Sequence, residues 1–220
     1  MVTKNQSSEP IHIIGCGTAF ESIIADREGY GLPSHIYIHR LDGVACLSQK
    51  AKLIIEQVPP TSPLFLSADE NALNYARLEL YLPAKLRGHK LITLIHKSAC
   101  VAPDAKISEN SWIAPKVTIA SKCILAPNVF ISTQARLDSH SSIGSHSWLG
   151  PGSSLGFKTK IGKHCVVGAN THLGTDIEIG NHCIVDKPGI WNQPLANGTF
   201  VEAMYQSPAT MIGHGYSIKY

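Results

Sequence analysis

Histidine takes and returns a proton near neutrality, and its neutral ring binds transition metals. The second half of this chain spaces several histidines regularly. His140 follows Asp138, a carboxylate able to orient an imidazole that acts as general base. His146, His164 and His182 recur every eighteen residues, so a coil of that length would stack them in one column. A column of imidazoles is a candidate metal set. Asn110 and Asn128 continue the same spacing, however, and a plain turn preference accounts for all five without a metal. No metal is therefore expected. Near the other end, the apolar run Ile11 to Ile14 leads into Gly15-Cys16-Gly17, the strand-and-turn pattern that can cradle a phosphate. The third glycine of a dinucleotide fingerprint is missing, and a plain structural turn explains the residues equally well. The six cysteines form no CxxC pair and suit reduced, buried thiols.

The elements that must carry these residues follow from a repeat. From Val101 to Ile190 the chain divides into hexads: VAPDAK, ISENSW, IAPKVT, IASKCI, LAPNVF, ISTQAR, LDSHSS, IGSHSW and onward to VDKPGI. Every first position is Val, Ile or Leu, every second is Ala, Ser, Gly or Asp, and nearly every fifth is small. This is the pattern of a left-handed parallel β-helix. Three hexads close one triangular coil, the first and fifth positions face inward, and coils stack about 4.8 Å apart. Cys123, Cys165 and Cys183 are then inward fillers at fifth positions. The fourth positions, from Asp104 through His140 to Pro188, are rich in residues that tolerate a positive φ, and are expected at exposed corners. Trp112, Phe130 and Trp148 would lie on flat outer faces, where association of prisms would bury them.

Before the repeat, strands and helices alternate. His35 to His39 alternates like a strand, and Leu47 to Val58 suits a helix stopped by Pro59-Pro60. Pro63 to Ser67 suits a buried strand. Asp69 is placed to cap a helix running towards Leu86, with Pro83 as its kink or end, and Leu91 to Ile95 closes the unit. The expected division is a disordered start at 1–10, a small parallel α/β domain at 11–96, the β-helix at 97–190 and a tail at 191–220. With a net charge of +3 and scattered basic residues, nothing favours nucleic acid. No apolar run is long enough to span a membrane, and no signal segment precedes Ile11. A cytoplasmic protein is expected.

This order, with the junction LIHKSACVAPDAKI and segments such as IGKHCVVGAN, resembles the NeuD/PglD-type sugar acetyltransferases over residues 11 to 190. The resemblance implies a Rossmann-like N-terminal domain and acetyl-CoA as co-substrate. It also implies a small sugar substrate, an amino sugar, nucleotide-linked sugar or sialic acid used in bacterial surface polysaccharide, and a homotrimer. It places Gly15 and Gly17 at the sugar nucleotide, and Gly152, Gly156, Gly168 and Ala169 along the pantetheine arm. The chain departs from the pattern twice. The glycine turn continues as Thr18-Ala19-Phe20-Glu21, and Ser139 stands where the family's histidine belongs, with His140 one place later. Trp148 replaces a further family histidine. His140 is then the nearest base, assisted by Asp138, or else a turn residue. Two other readings stay open: a retired homologue that binds a sugar nucleotide or a partner, and a metal-dependent hydro-lyase of the carbonic anhydrase type.

Overall fold

The computed structural model describes residues 9–41, 47–70, 73–204 and 206–210. Most of the expected disordered start, Cys46 and the end of the chain from residue 211 lie outside the described residues. The first elements are β1 (Ile11–Gly15), α1 (Gly17–Ala25), β2 (Ile36–Arg40), α2 (Leu47–Gln57), β3 (Leu64–Ser67) and α3 (Tyr75–Leu86). The three strands form a parallel sheet in the order β2-β1-β3. Alternation along β1 sorts its apolar residues onto two faces. Ile13 packs with Phe20, Ile23 and Phe65, and Ile14 with Ile55, Leu64, Leu66 and Leu80.

Two expectations change here. The helix assigned to Asp69 begins only at Tyr75 and runs through Pro83 to Leu86. Asp69 instead caps α1: its carboxylate accepts the N–H groups of Thr18 (2.7 Å) and Ala19 (3.1 Å). Leu91 to Ile95 does not close the sheet as one strand. Leu91 makes a single parallel bridge to Leu64, whereas Leu94–Ile95 pairs with Trp112–Ile113 as the first rung of a stack of short parallel strands.

From residue 94 onward the chain is a parallel β-solenoid of about six turns, matching a left-handed β-helix. One face stacks rungs from Leu94–Ile95 through Phe130–Ile131 to Thr199–Glu202. A second runs from Cys100–Val101 to Gly189–Trp191, and a third from Lys106–Ile107 to Glu178–Ile179. The segment expected as a tail from residue 191 thus adds another rung, paired with Val185 and its neighbours. First-position side chains from Ile113 to Val185 are all buried. The fifth position does more than fill space. Its hydroxyl or thiol donates to the second-position carbonyl of the next coil, from Cys123 to Asp138 (3.2 Å), Ser147 to Gly162 (2.9 Å) and Cys165 to Gly180 (3.0 Å). Every fourth position from Asn110 to His182 has a positive φ, as the residue types predict.

The outer aromatics correct another expectation. Trp112, Phe130 and Trp148 are 4, 0 and 7% exposed, because the chain's own N-terminal unit covers them. The Trp112 indole donates to the Tyr30 hydroxyl (2.8 Å), and Phe65 stacks on Phe130 at 5.8 Å between centroids. They serve the seam within one chain, and no subunit contact is needed to bury them. Among the described residues no helix is long and apolar enough to cross a membrane.

Candidate active site

The seam between the two parts is polar along one corner of the prism. Arg77 of α3 is fully buried there. It donates to Asn128 Oδ1 (3.1 Å) and to the carbonyls of Ala68 (3.1 Å), Asn128 (3.3 Å) and Ser147 (3.4 Å). Its guanidinium lies 3.9 Å from the Phe130 ring centre, a cation–π contact in a dry setting. Burial lowers its pKa to about 9, which still leaves it charged at neutrality. Sequence reasoning passed over Arg77, although it sits on the stripe of Ala76, Leu80 and Ala84 that α3 turns inward.

The column of fourth positions runs along this seam. Asn110 pairs with the backbone of Leu66 through both amide atoms (2.9 and 3.0 Å), extending the small sheet by one side chain. Its amide also donates to Asn128 Oδ1 (2.8 Å), and the Asn128 amide donates to His146 Nδ1 (2.7 Å). His146 is therefore neutral with its proton on Nε2. Desolvation, with His164 and Arg77 nearby, lowers its pKa to about 3. The three imidazoles do stack, at 4.8 and 5.3 Å between centroids. His164 Nδ1 donates to the Leu73 carbonyl (3.0 Å), and His182 Nε2 meets the Tyr75 hydroxyl (3.1 Å). Rings stacked face to face do not aim their lone pairs at one point, and among the described residues no group of three or more ligands is placed to hold a metal. The expectation that this corner is exposed fails: Asn110 and Asn128 are 0% exposed, His164 8%.

Beside this seam lies a cavity of about 620 Å³, walled by Leu73, Tyr75, Trp148, Val166, Gly168 and Ala169 and rimmed by Glu70, Asp186 and Glu202. It thus includes two of the residues expected along the pantetheine arm. The other two are elsewhere. Gly156 joins Asp138, Arg136 and Leu137 in a shallower cleft of about 380 Å³ on the second face. Gly152 sits at a corner with φ +67°, beneath Asn170. Coil stacking by itself demands glycine at Gly156 and Gly168: an added Cβ would fall 2.7 Å from the Gly174 carbonyl or 2.9 Å from the Asp186 Cα.

His140 stands on an exposed corner, edge-on to Phe157 at 5.4 Å. Asp138 does not orient it; that carboxylate accepts the Ser139 N–H instead (2.6 Å). At the glycine turn, Gly15 is required by the close approach of β3, since an added Cβ would lie 2.1 Å from the Ser67 carbonyl. Gly17, at φ +90°, lies under the Asp69 carboxylate. The N-terminus of α1, where a phosphate would dock, thus already holds an anion of this chain. Phe20 is buried in the core.

The fold places these features among known proteins. The chain aligns with perosamine N-acetyltransferase from Caulobacter crescentus, in a histidine-to-asparagine variant bound to CoA and GDP-perosamine. The TM-score is 0.76 at 22% identity, over 93% of this chain and 99% of that one. The two chains share a fold. The acetyltransferase domain of PglB from Neisseria gonorrhoeae, bound to acetyl coenzyme A, aligns with a TM-score of 0.62 at 18% identity, covering 91% and 99% of the two chains. WeeI from Acinetobacter baumannii gives 0.67 at 14% identity, covering 91% and 100%. The resemblance read from the hexads and the LIHKSA junction therefore holds for the fold, helical unit and solenoid together. Residues 92–193 match the family model described as the GMPPB C-terminal domain. No curated protein matches the chain by sequence.

Proposed function

We propose that this chain is an acyl-CoA-dependent acetyltransferase acting on a nucleotide-linked amino sugar, serving surface-polysaccharide synthesis in the cytoplasm. The observation that carries the reading is architectural. One small parallel α/β unit and one solenoid, in the same order, align over nearly the whole length of an enzyme whose structure holds CoA and GDP-perosamine. The N-terminal unit is read as Rossmann-like on the same grounds. The apolar wall of the 620 Å³ cavity suits a pantetheine arm passing Gly168 and Ala169. In the reaction the acceptor's amine attacks the thioester carbonyl, the C–S bond breaks, and a base takes the amine proton. His140 is the base assigned here, and Asp138 adds negative charge beside it. Gly15 and Gly17 form the turn that would face the sugar nucleotide.

The cavity and the Asp138 cleft lie on adjacent faces of one prism, and a single chain does not join them. A homotrimer would set the cleft of one chain against the cavity of the next. Light scattering should then give a mass near three times the 23.8 kDa of the chain.

A second reading, a retired homologue that keeps binding but not turnover, draws on two observations. Asp69 occupies the N-terminus of α1, and no hydrogen bond links Asp138 to His140. Calorimetric titration with CoA tests both readings. Saturable one-to-one binding per chain is expected, and absence of binding would remove the acyl-CoA assignment altogether.

A further inference from the structure

The junction LIHKSA contains a constellation that the acyl-transfer reading does not use. His96 follows the first rung of the solenoid and is 6% exposed. Its Nε2 lies 2.8 Å from Asp26 Oδ2, at the end of α1, and its Nδ1 lies 2.7 Å from Ser98 Oγ. The tautomer is fixed by the backbone. The Ser98 N–H donates to Nδ1 (3.1 Å), so Nδ1 is an acceptor and the ring proton sits on Nε2, directed at Asp26. The Ser98 hydroxyl can then only donate to Nδ1. Serine, imidazole and carboxylate stand in the order used to activate a serine, with the two ring nitrogens exchanged relative to the usual assignment.

The surroundings hold this arrangement. The second Asp26 oxygen accepts the Gly29 N–H (3.0 Å). Gly29 leaves room for the pair, since an added Cβ would lie 2.2 Å from His96 Nε2 and 2.4 Å from Asp26 Oδ2. Tyr30 packs edge-on against the imidazole at 5.0 Å, and the Lys97 N–H donates to the Gly29 carbonyl (2.7 Å). The hydrogen bond from His96, helped by that of Gly29, holds the Asp26 carboxyl below its usual range, so the carboxylate stays charged. Ser98 itself is exposed. One of its lone pairs takes the Lys116 N–H (3.0 Å), and the other remains for attack.

We propose that Ser98 and His96, positioned by Asp26, form a nucleophilic serine site that accepts small acyl groups from activated esters. Ser98 Oγ attacks the acyl carbonyl while its proton passes to His96 Nδ1. The ester's C–O bond breaks, and the leaving alcohol or phenolate takes the proton from His96, leaving an acyl-serine. Water then attacks that ester with His96 as base, releases the acid and restores the serine. Asp26 stabilises the imidazolium in both halves and does not itself exchange a proton.

The test uses neither CoA nor sugar, so its outcome is independent of the acetyltransferase reading. The full chain is treated with a fluorophosphonate probe and, separately, with p-nitrophenyl acetate, and the modified peptide is identified by mass. Covalent label on Ser98 and a burst of p-nitrophenolate are expected. Ser98→Ala, with its thermal midpoint checked, should lose the burst by about 10²-fold or more. Asp26→Asn should slow labelling by at least about 10²-fold, and Asp26→Glu should restore part of that loss. Absence of label on Ser98 in the folded wild-type protein overturns the proposal, whatever the variants do. So does an unchanged burst in Ser98→Ala.

Discussion

Two corners of the prism use the same hexad position and the same left-handed backbone, yet their side chains have opposite surroundings. At one corner Asn110, Asn128, His146 and His164 are buried beneath α3 and the strand before it. At another, Lys122, His140, Lys158 and Asp176 are exposed. The repeat therefore sets the backbone at both, and the covering domain alone decides what the side chains do. Under cover, an asparagine or histidine at this position must have every polar atom matched, because an unmatched one costs about 1–3 kcal/mol. In the open, water serves, and lysine, aspartate and histidine are interchangeable. Side chains left open to solvent are thus found at the uncovered corners, one of which carries His140.

The comparison can be broken most sharply across the inside and outside of the prism. Leu149→Asp forces a carboxylate into a dry interior and should abolish the cooperative unfolding transition. Lys158→Asp, at the open corner, should leave the unfolding free energy within about 0.5 kcal/mol of wild type. Equal tolerance would mean that the hexad phase is wrong. At the covered corner, Arg77→Met removes the donor shared by Ala68, Asn128 and Ser147. It should cost about 3 kcal/mol in urea denaturation, through the carbonyls left unmatched.

An effect that vanishes at neutrality separates the two corners by pH. The pKa of His146 falls from 6.5 to about 3 on folding. Above about pH 6.5 neither state binds the proton and the group contributes no slope. As pH falls below that value, the unfolded chain takes up a proton that the folded chain refuses. Stability therefore declines towards pH 3 by at most about 1.4 kcal/mol per pH unit. His146→Gln should flatten this part of the stability profile. An unchanged profile in that variant would contradict the burial assigned to the column.

Much of this was legible in the sequence. The hexads marked the inward first positions, and residue types alone marked the turn positions that adopt a positive φ. What was not legible depended on contacts distant in the chain. Asn110 and Lys122 obey the same local rule, and nothing near either one says that Leu66 will pair with the first. Trp112 and Trp148 looked like surface for a second chain because their cover, Tyr30 and Arg77, comes from another unit. Asp69 looked like the cap of its own following helix, but it caps one that begins some fifty residues earlier, as its hydrogen bond to Thr18 shows. The glycines expected to face a cofactor satisfy a local demand of stacking, so their presence does not identify a ligand. His96 and Asp26, joined at 2.8 Å, are separated by seventy residues in the chain and form no motif.

The most direct test of the functional account is turnover. Protein is incubated with acetyl-CoA and a panel of nucleotide-linked amino sugars and sialic acids, and free CoA thiol is followed. The account predicts acceptor-dependent thiol release that falls by about 10²–10⁴-fold in His140→Ala, with CoA binding unchanged. No release from the wild-type chain, with release gained in Ser139→His, would contradict catalysis by His140 and identify a retired enzyme that still binds.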